Sequence, residues 1–256
     1  MTVDLYALTC GHLTIPKAFM LEGAEGTIKV PVPSYLVVHP KGKVLFDSGL
    51  HVDSQADAAA YAGDFLYSFH DFHFTAGEQI DARLRTIAFD PSSVDLVINS
   101  HLHFDHCGGN AQLPNATVVV QRREWEHAHR DDAERKGYLT GDFDTGQLIR
   151  LVEGETDIFG DGSAVIIPSY GHTPGHQSLR VRTATTEFLL CGDACYLRQS
   201  LDDLHLPGII ADPDAALDTL QRFRALEAGG TRIMFGHDPT FWTSVPQAPD
   251  RLGSRL

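Results

Sequence analysis

Short apolar runs separated by turn residues occupy most of this chain, a pattern of strands more than of long amphipathic helices. Val3 to Leu8, Ser34 to Val38 and Lys43 to Phe46 carry β-branched and aromatic side chains, with Pro40-Lys41-Gly42 as a hairpin turn. Val94 to Ile98 predicts a buried strand, and Thr117 to Val120 predicts another. The second half repeats the theme at Leu148–Val152, Ala164–Ile167, Gln177–Arg182, Phe188–Cys191 and Arg232–Phe235. Helical spacing covers Gly77 to Ile87, with Pro91 at its exit, and Pro213 to Ala228, with proline in the first turn. Arg122 to Arg135 predicts a charged, solvent-facing helix whose His127 and His129 are surface residues. Two strand-rich halves, each with its helices, suggest two sheets packed face to face with helices outside.

Two stretches resist this pattern. Pro16 to Gly26 reads as irregular, with Phe19, Met20 and Leu21 exposed, which suits a dimer contact or a substrate flap. His51 to Thr75 holds Tyr61, Phe65, Tyr67, Phe69, Phe72 and Phe74 together with His70 and His73. Those aromatics serve either as core or as the lining of an apolar pocket, and the residues alone leave both readings open.

Composition narrows the class. With 256 residues and 43% hydrophobic content, a substantial core is available. We expect one domain over residues 1–256, with no fixed-period repeat or low-complexity linker. No apolar run approaches the ~20 residues of a membrane span. The start, Met1-Thr2-Val3-Asp4-Leu5, lacks the pattern of a secretory signal, so the expected location is the cytoplasm. A net charge of -14 argues against nucleic-acid and anionic-membrane partners. Cys10, Cys107, Cys191 and Cys195 form no CxxC pair and read as free thiols, Cys107 as a small buried one beside the metal motif.

Chemistry concentrates in His101-Leu102-His103-Phe104-Asp105-His106, directly after the Val94–Ile98 strand. Imidazole nitrogen and carboxylate oxygen are the donors that bind Zn²⁺ and similar divalent ions. At a strand tip alternate side chains point the same way, so His101 and His103 can share one ion. Asp105 and His106, displaced by the turn, can serve a neighbouring site. Other candidate ligands also follow strands: Asp193 after Cys191 and His237 after Phe235.

Together these segments resemble the metallo-β-lactamase superfamily. Asn99 to Gly109 is similar to its HxHxDH loop, Gly171-His172 to its third histidine site, Cys191-Gly192-Asp193 to its bridging aspartate, and Phe235-Gly236-His237-Asp238 to its final ligand. Phe46-Asp47-Ser48-Gly49 resembles the supporting turn upstream. The resemblance implies an α/β fold, an αβ/βα four-layer sandwich of two mixed β-sheets with helices on the outer faces. It implies two divalent ions, zinc first with iron, cobalt or manganese as alternatives. His101, His103 and His172 would hold one ion, Asp105, His106 and His237 the other, and Asp193 would bridge them. Asp47 would orient a ligand histidine. Thr173-Pro174-Gly175-His176 offers a competing histidine, but in the family pattern His176 fills a supporting slot behind His172.

Within the superfamily the chain most resembles N-acyl-homoserine lactone lactonases, through Tyr196 three residues after Asp193, Gly175 to Leu179, and Pro31 to Tyr35. That resemblance implies a small-molecule lactone substrate whose carbonyl is attacked by a hydroxide bridging the metals. Tyr196 would polarise the carbonyl and Asp105 would relay a proton to the leaving alkoxide. Phe19, Met20, Leu21, Phe65 and Phe69 would contact an acyl chain. A hydrolase of another small lactone, similar to 4-pyridoxolactonase, or of another ester or thioester, is the competing enzyme reading. A non-catalytic metal-binding module is the competing class. Thioesterases of the fold usually carry a helical region beyond the last ligand, where only Asp238 to Leu256 follow here, and β-lactamases of the fold lack the bridging aspartate. A homodimer is an open expectation.

Overall fold

A computed structural model describes residues 3–253. The first sheet is built from β1 (Asp4–Pro16), β2 (Thr27–His39), β3 (Gly42–Phe46), β4 (Asp71–His73), β5 (Leu96–Ile98), β6 (Thr117–Gln121) and β7 (Ile149–Val152). Its order is β1-β2-β3-β5-β6-β7, with β4 also on β1. The second sheet contains β8 (Thr156–Asp157), β9 (Ala164–Pro168), β10 (Gln177–Arg182), β11 (Glu187–Leu190) and β12 (Arg232–Met234), in the order β12-β11-β10-β9-β8. The chain then returns so that β13 (Arg251–Leu252) pairs with β1. Both sheets are mixed: β3, β5, β6 and β7 run parallel, as do β11 and β12, while the remaining pairs are antiparallel.

The period of two in each strand builds the layers. Leu5, Ala7, Val37, Phe46, Ile98 and Val119 face inward and meet Ile166, Leu179, Val181, Phe188, Leu190 and Met234 of the second sheet. Their sequence neighbours Tyr6, Leu8, Leu36, Leu45, Val97 and Val118 face the other way and pack on Ile80 and Leu84. Ile167, Leu189 and Ile233 likewise pack outward on Leu201, Leu220 and Phe223. The result is helix, sheet, sheet, helix. Strands buried on both faces explain why Leu96-Val97-Ile98 is an apolar run without alternation.

Among the described residues eight α-helices complete the order: α1 (Ala58–Tyr67), α2 (Ile80–Thr86), α3 (Phe104–Cys107), α4 (Arg122–Ala128), α5 (Thr140–Phe143), α6 (Arg198–Asp203), α7 (Pro213–Ala228) and α8 (Pro239–Trp242). The Asp212 side chain caps α7 by accepting from Ala215 N, and Pro213 opens it. No helix among the described residues is long and apolar enough to cross a membrane.

Several boundaries differ from the sequence expectation. β1 and β2 extend far beyond Leu8 and Ser34. Past a register break between Thr9 and His12 they continue as a ribbon, with β4 pairing along the other edge of β1. Pro31 and Pro33, which cannot donate to the ladder, sit at that break. The predicted helix over 77–87 is shorter, because Gly77 has a positive φ and the first turn forms only at Ile80. The predicted helix over 122–135 stops at Ala128, and one of its faces is buried through Glu124 and Ala128. His129 is exposed and His127 half-buried. The aromatic segment is helix α1 followed by strand β4. Met20 and Leu21, expected at the surface, are buried against Leu13, Ile15, Val30 and Leu197 beneath the ribbon. Their burial in their own chain removes them as a dimer contact. All four cysteines are free and buried.

Phe188 is fully buried between the sheets, on the strand that leads to Asp193 but with its own ring in the inter-sheet core. Replacing it with alanine should cost about 3–5 kcal/mol of stability, read as a lowered denaturant midpoint in the metal-stripped protein. A change under about 1 kcal/mol would contradict a close-packed inter-sheet core there.

Candidate metal centre

The candidate ligands stand where strands run out. β5 ends at Ile98, and after Asn99 and Ser100 the chain presents His101 and then His103, with Asp105 and His106 on α3. His172 follows β9, Asp193 sits in a short turn after β11, and His237 follows β12. Their donor atoms fall into three overlapping groups: His101, His103 and His172; His101, His106 and Asp193; Asp105, His106 and His237. His172 Nε2 lies 3.2 Å from both His101 Nε2 and His103 Nδ1. His237 Nε2 lies 3.4 Å from His106 Nε2. Asp193 stands between the groups. Its Oδ1 is 3.0 Å from His106 Nε2 and from His237 Nε2, while Oδ2 faces His172 Nε2 at 3.5 Å and His101 Nε2 at 3.9 Å.

The outer nitrogens of four of these five rings are tied to the scaffold. His106 Nδ1 is 2.9 Å from Asp47 Oδ2, and Asp47 Oδ1 accepts from Ser100 N. His237 Nδ1 donates to the Pro31 carbonyl at 2.7 Å. His172 Nδ1 meets the Tyr196 hydroxyl at 3.0 Å and His101 Nδ1 meets Ser100 Oγ at 2.9 Å. A carbonyl or carboxylate oxygen can only accept, so the protons of neutral His237 and His106 sit on Nδ1. Their Nε2 lone pairs then face each other in a buried space. Asp193 Oδ1 is also buried and lacks a hydrogen bond of acceptable geometry. Lone pairs and a carboxylate converging without donors form an electron-rich cage that a divalent cation fits.

Without a cation, protons partly take its place. Burial opposes charge on His106 and His237, but Asp193, with Asp105 beside it, holds His106 well above and His237 above the ordinary imidazole value. Burial likewise opposes charge on Asp193, yet those two imidazoles hold its carboxyl well below the usual range. Burial, followed by neighbouring imidazoles, pushes His101 and His103 well down. Burial also lowers His172.

His176 is placed differently. Its Nε2 accepts from Asp193 N, so Nδ1 donates to Ser169 Oγ. That hydroxyl reaches Ser178 Oγ, which donates to the Cys191 carbonyl. His176 thus orients the Asp193 turn and lies outside all three donor groups, whereas His172 lies within one.

Sequence reasoning missed Glu124. Its carboxylate is buried, with Oε1 accepting from Leu102 N and Tyr138 Oη and Oε2 accepting from Thr173 Oγ1 and Gly175 N. Four donors partly offset the burial that raises its pKa. One side chain therefore clamps the loop of His101 and His103 to the loop of His172, and Tyr138 packs edge-on against His103. Gly175 permits the approach, since a Cβ there would lie 2.1 Å from Glu124 N. The available signal is an acid three residues after a strand, at a position that a charged helix assigns to solvent.

A cavity of about 310 Å³ opens onto the centre. His103, Asp105, His172, Asp193, Tyr196 and His237 line one part, and apolar side chains including Leu13, Ile15, Phe19, Met20, Phe65 and Phe69 line most of the remainder. Leu21, expected among the lining residues, is not there. It lines a separate depression with Ile28 and Leu197, while its neighbour Met20 lines the cavity. Phe65 and Phe69 remain 53% and 42% exposed while lining the cavity. Tyr196 stacks on His237 with ring centroids 5.8 Å apart. Burial, then Asp193 and Asp105, push its hydroxyl well above the ordinary phenol value, so it stays protonated.

The chain belongs to the metallo-beta-lactamase superfamily, whose family model matches residues 27–237. It is 35% identical to the N-acyl homoserine lactonase AttM of Azorhizobium caulinodans, across 96% of this chain and 97% of that protein. It is 30% identical to an N-acyl homoserine lactonase of Bacillus thuringiensis, across 82% of each. In structure it superposes on an N-acyl homoserine lactone hydrolase solved with N-hexanoyl-L-homoserine at its catalytic metal center, with a TM-score of 0.89, 28% identity and coverage of 98% of this chain and 100% of that one.

Two outcomes follow from this geometry. Glu124→Gln replaces an acceptor with a donor against four donors and should weaken metal affinity by about 10- to 100-fold, measured by competition with a chromophoric chelator; unchanged affinity would remove Glu124 from the centre's support. Metal binding requires neutral imidazoles. Affinity should therefore fall as pH drops through the raised values of His106 and His237, and binding at neutral pH should release protons. Calorimetry in buffers of different ionisation enthalpy reads that release, and buffer-independent heats would count against it.

Proposed function

We propose that this protein is a metal-dependent hydrolase that opens the lactone ring of N-acyl homoserine lactones and so quenches quorum signalling. The observation that carries the reading is the placement of Asp193 at the floor of an apolar cavity, one oxygen toward each donor group, with the Tyr196 hydroxyl beside it. The lactonase relatives of the same family support the choice of substrate.

His101, His103 and His172 would hold one ion and Asp105, His106 and His237 a second, with Asp193 between them. Once bound, two divalent ions, zinc first and iron, cobalt or manganese as alternatives, supply Lewis acidity and a water of lowered pKa. The chain's own groups do the rest. Phe19, Met20, Phe65, Phe69 and Phe104 receive an acyl chain and exclude water, which leaves the lactone at the polar end. Tyr196 is protonated, and with the His172 Nδ1 proton directed at its oxygen it is free to donate to the carbonyl as negative charge develops there. Asp105, the least buried of the carboxylates in the cluster, accepts the proton lost by the attacking water. It returns that proton to the ring oxygen as the C–O bond breaks, so one water is consumed and one acid and one alcohol form.

Metal-loaded protein should open N-hexanoyl homoserine lactone, followed as acid release in a pH-stat alongside other small lactones, a thioester and a phosphodiester. Tyr196→Phe should lower kcat about 100-fold with metal content unchanged. Loaded protein that opens none of the lactones would refute the assignment, and undiminished turnover by Tyr196→Phe would remove the tyrosine from the reaction.

A further inference from the structure

His70 is out of character with its surroundings. It follows α1 and lines the cavity among Leu66, Phe69, Phe19 and Phe104. Phe104 meets its ring edge-on at a centroid distance of 5.2 Å, and Phe19 lies at 6.1 Å. Away from the metal cluster, the polar side chains lining the cavity are His70, Arg135 and Lys136. The last two are exposed on a turn, and Lys136 is paired with Asp132.

The ring of His70 is fixed at one nitrogen. Nδ1 lies 2.7 Å from the Leu66 carbonyl oxygen. That oxygen has no proton to give, so Nδ1 carries the hydrogen and donates. In the neutral ring Nε2 is then an acceptor only. Among the described residues no donor reaches it: the Nδ1 contact is the one hydrogen bond His70 makes through its side chain. A lone pair held in place beside an otherwise apolar wall is a site for a hydrogen-bond donor. A hydroxyl supplies one, a ketone oxygen opposes its own lone pair to it, and a plain methylene does neither.

We propose that His70 selects acyl chains bearing a hydroxyl group, with the substrate hydroxyl donating to His70 Nε2. This rests on the lactonase reading and names the substrate class within it. His70 acts as a specificity residue, away from the reacting atoms.

The test compares kcat/KM for N-hexanoyl homoserine lactone, its derivatives hydroxylated at successive chain carbons, and the matching oxo compounds, all at one mildly alkaline pH. In the unaltered protein the best hydroxylated substrate should exceed the unsubstituted one by about 3- to 10-fold, the span of one neutral hydrogen bond, and should exceed its oxo counterpart. His70→Phe should abolish that preference, bringing the kcat/KM ratio of hydroxylated to unsubstituted chain to about one. His70→Gln, whose amide both donates and accepts, should keep activity on the hydroxylated chain and raise that on the oxo chain, and it decides the matter alone if the Phe variant does not fold. No hydroxyl preference at any carbon, a preference for oxo chains, or a preference that survives His70→Phe overturns the proposal. Turnover of the unsubstituted lactone without discrimination sinks this inference only; no turnover of any of the lactones sinks the lactonase reading with it.

Discussion

What the centre can do is decided on the far side of its imidazole rings. Each ring has two nitrogens, and a ring free to turn or to change tautomer would pair with its neighbours. Asp47 on His106, the Pro31 carbonyl on His237, Tyr196 on His172 and Ser100 on His101 prevent this. With the outer nitrogens engaged, the inner ones crowd together around Asp193, an arrangement that is unfavourable unless positive charge enters it. The cage is therefore preorganised before any ion binds. Its organisation comes from hydrogen bonds to backbone and side chains of both sheets.

The two-sheet architecture makes this preorganisation affordable in stability. Asp47 follows β3 and His101 follows β5, whereas His172, Asp193 and His237 follow strands of the second sheet. The strands themselves are pinned by the apolar layer between the sheets, so the loops at their ends inherit a fixed separation. Glu124 and Gln177 then stitch the two sides directly: Glu124 joins Leu102 to Gly175, and Gln177 N donates to the Ser100 carbonyl. Buried polar groups of this kind are costly when left unpaired. Here all four carboxylate acceptor positions of Glu124 are used.

Local chemistry was legible in the residues, and long-range geometry was not. The string His101 to His106 announces metal binding because few other environments concentrate imidazole and carboxylate so densely. The two facing sheets were legible through short apolar runs set between turn residues. Glu124 was hidden because its partners, Leu102, Tyr138, Thr173 and Gly175, are scattered along the chain. Helical periodicity assigns a glutamate among arginines to solvent. Met20 and Leu21 misled for a similar reason: the ribbon that covers them forms only when Thr27 to Pro31 folds back on His12 to Pro16. The aromatic segment looked ambiguous because it is in fact divided, with Leu66 and Phe74 buried and Phe65 and Phe69 facing the cavity.

The register break in β1 and β2 separates two kinds of selection on one pair of strands. Before it, every residue answers to the sheet, where a changed volume disturbs the shared core. Beyond it, Leu13, Ile15, Met20 and Val30 answer mainly to whatever occupies the cavity. At the boundary the Pro31 carbonyl holds His237, so the junction itself is tethered to the centre. Such a division lets the walls of the cavity drift toward new acyl groups over evolutionary time while the candidate metal centre and the folding core stay unchanged. The same hairpin thus carries both the permanence of the enzyme and its capacity to change diet.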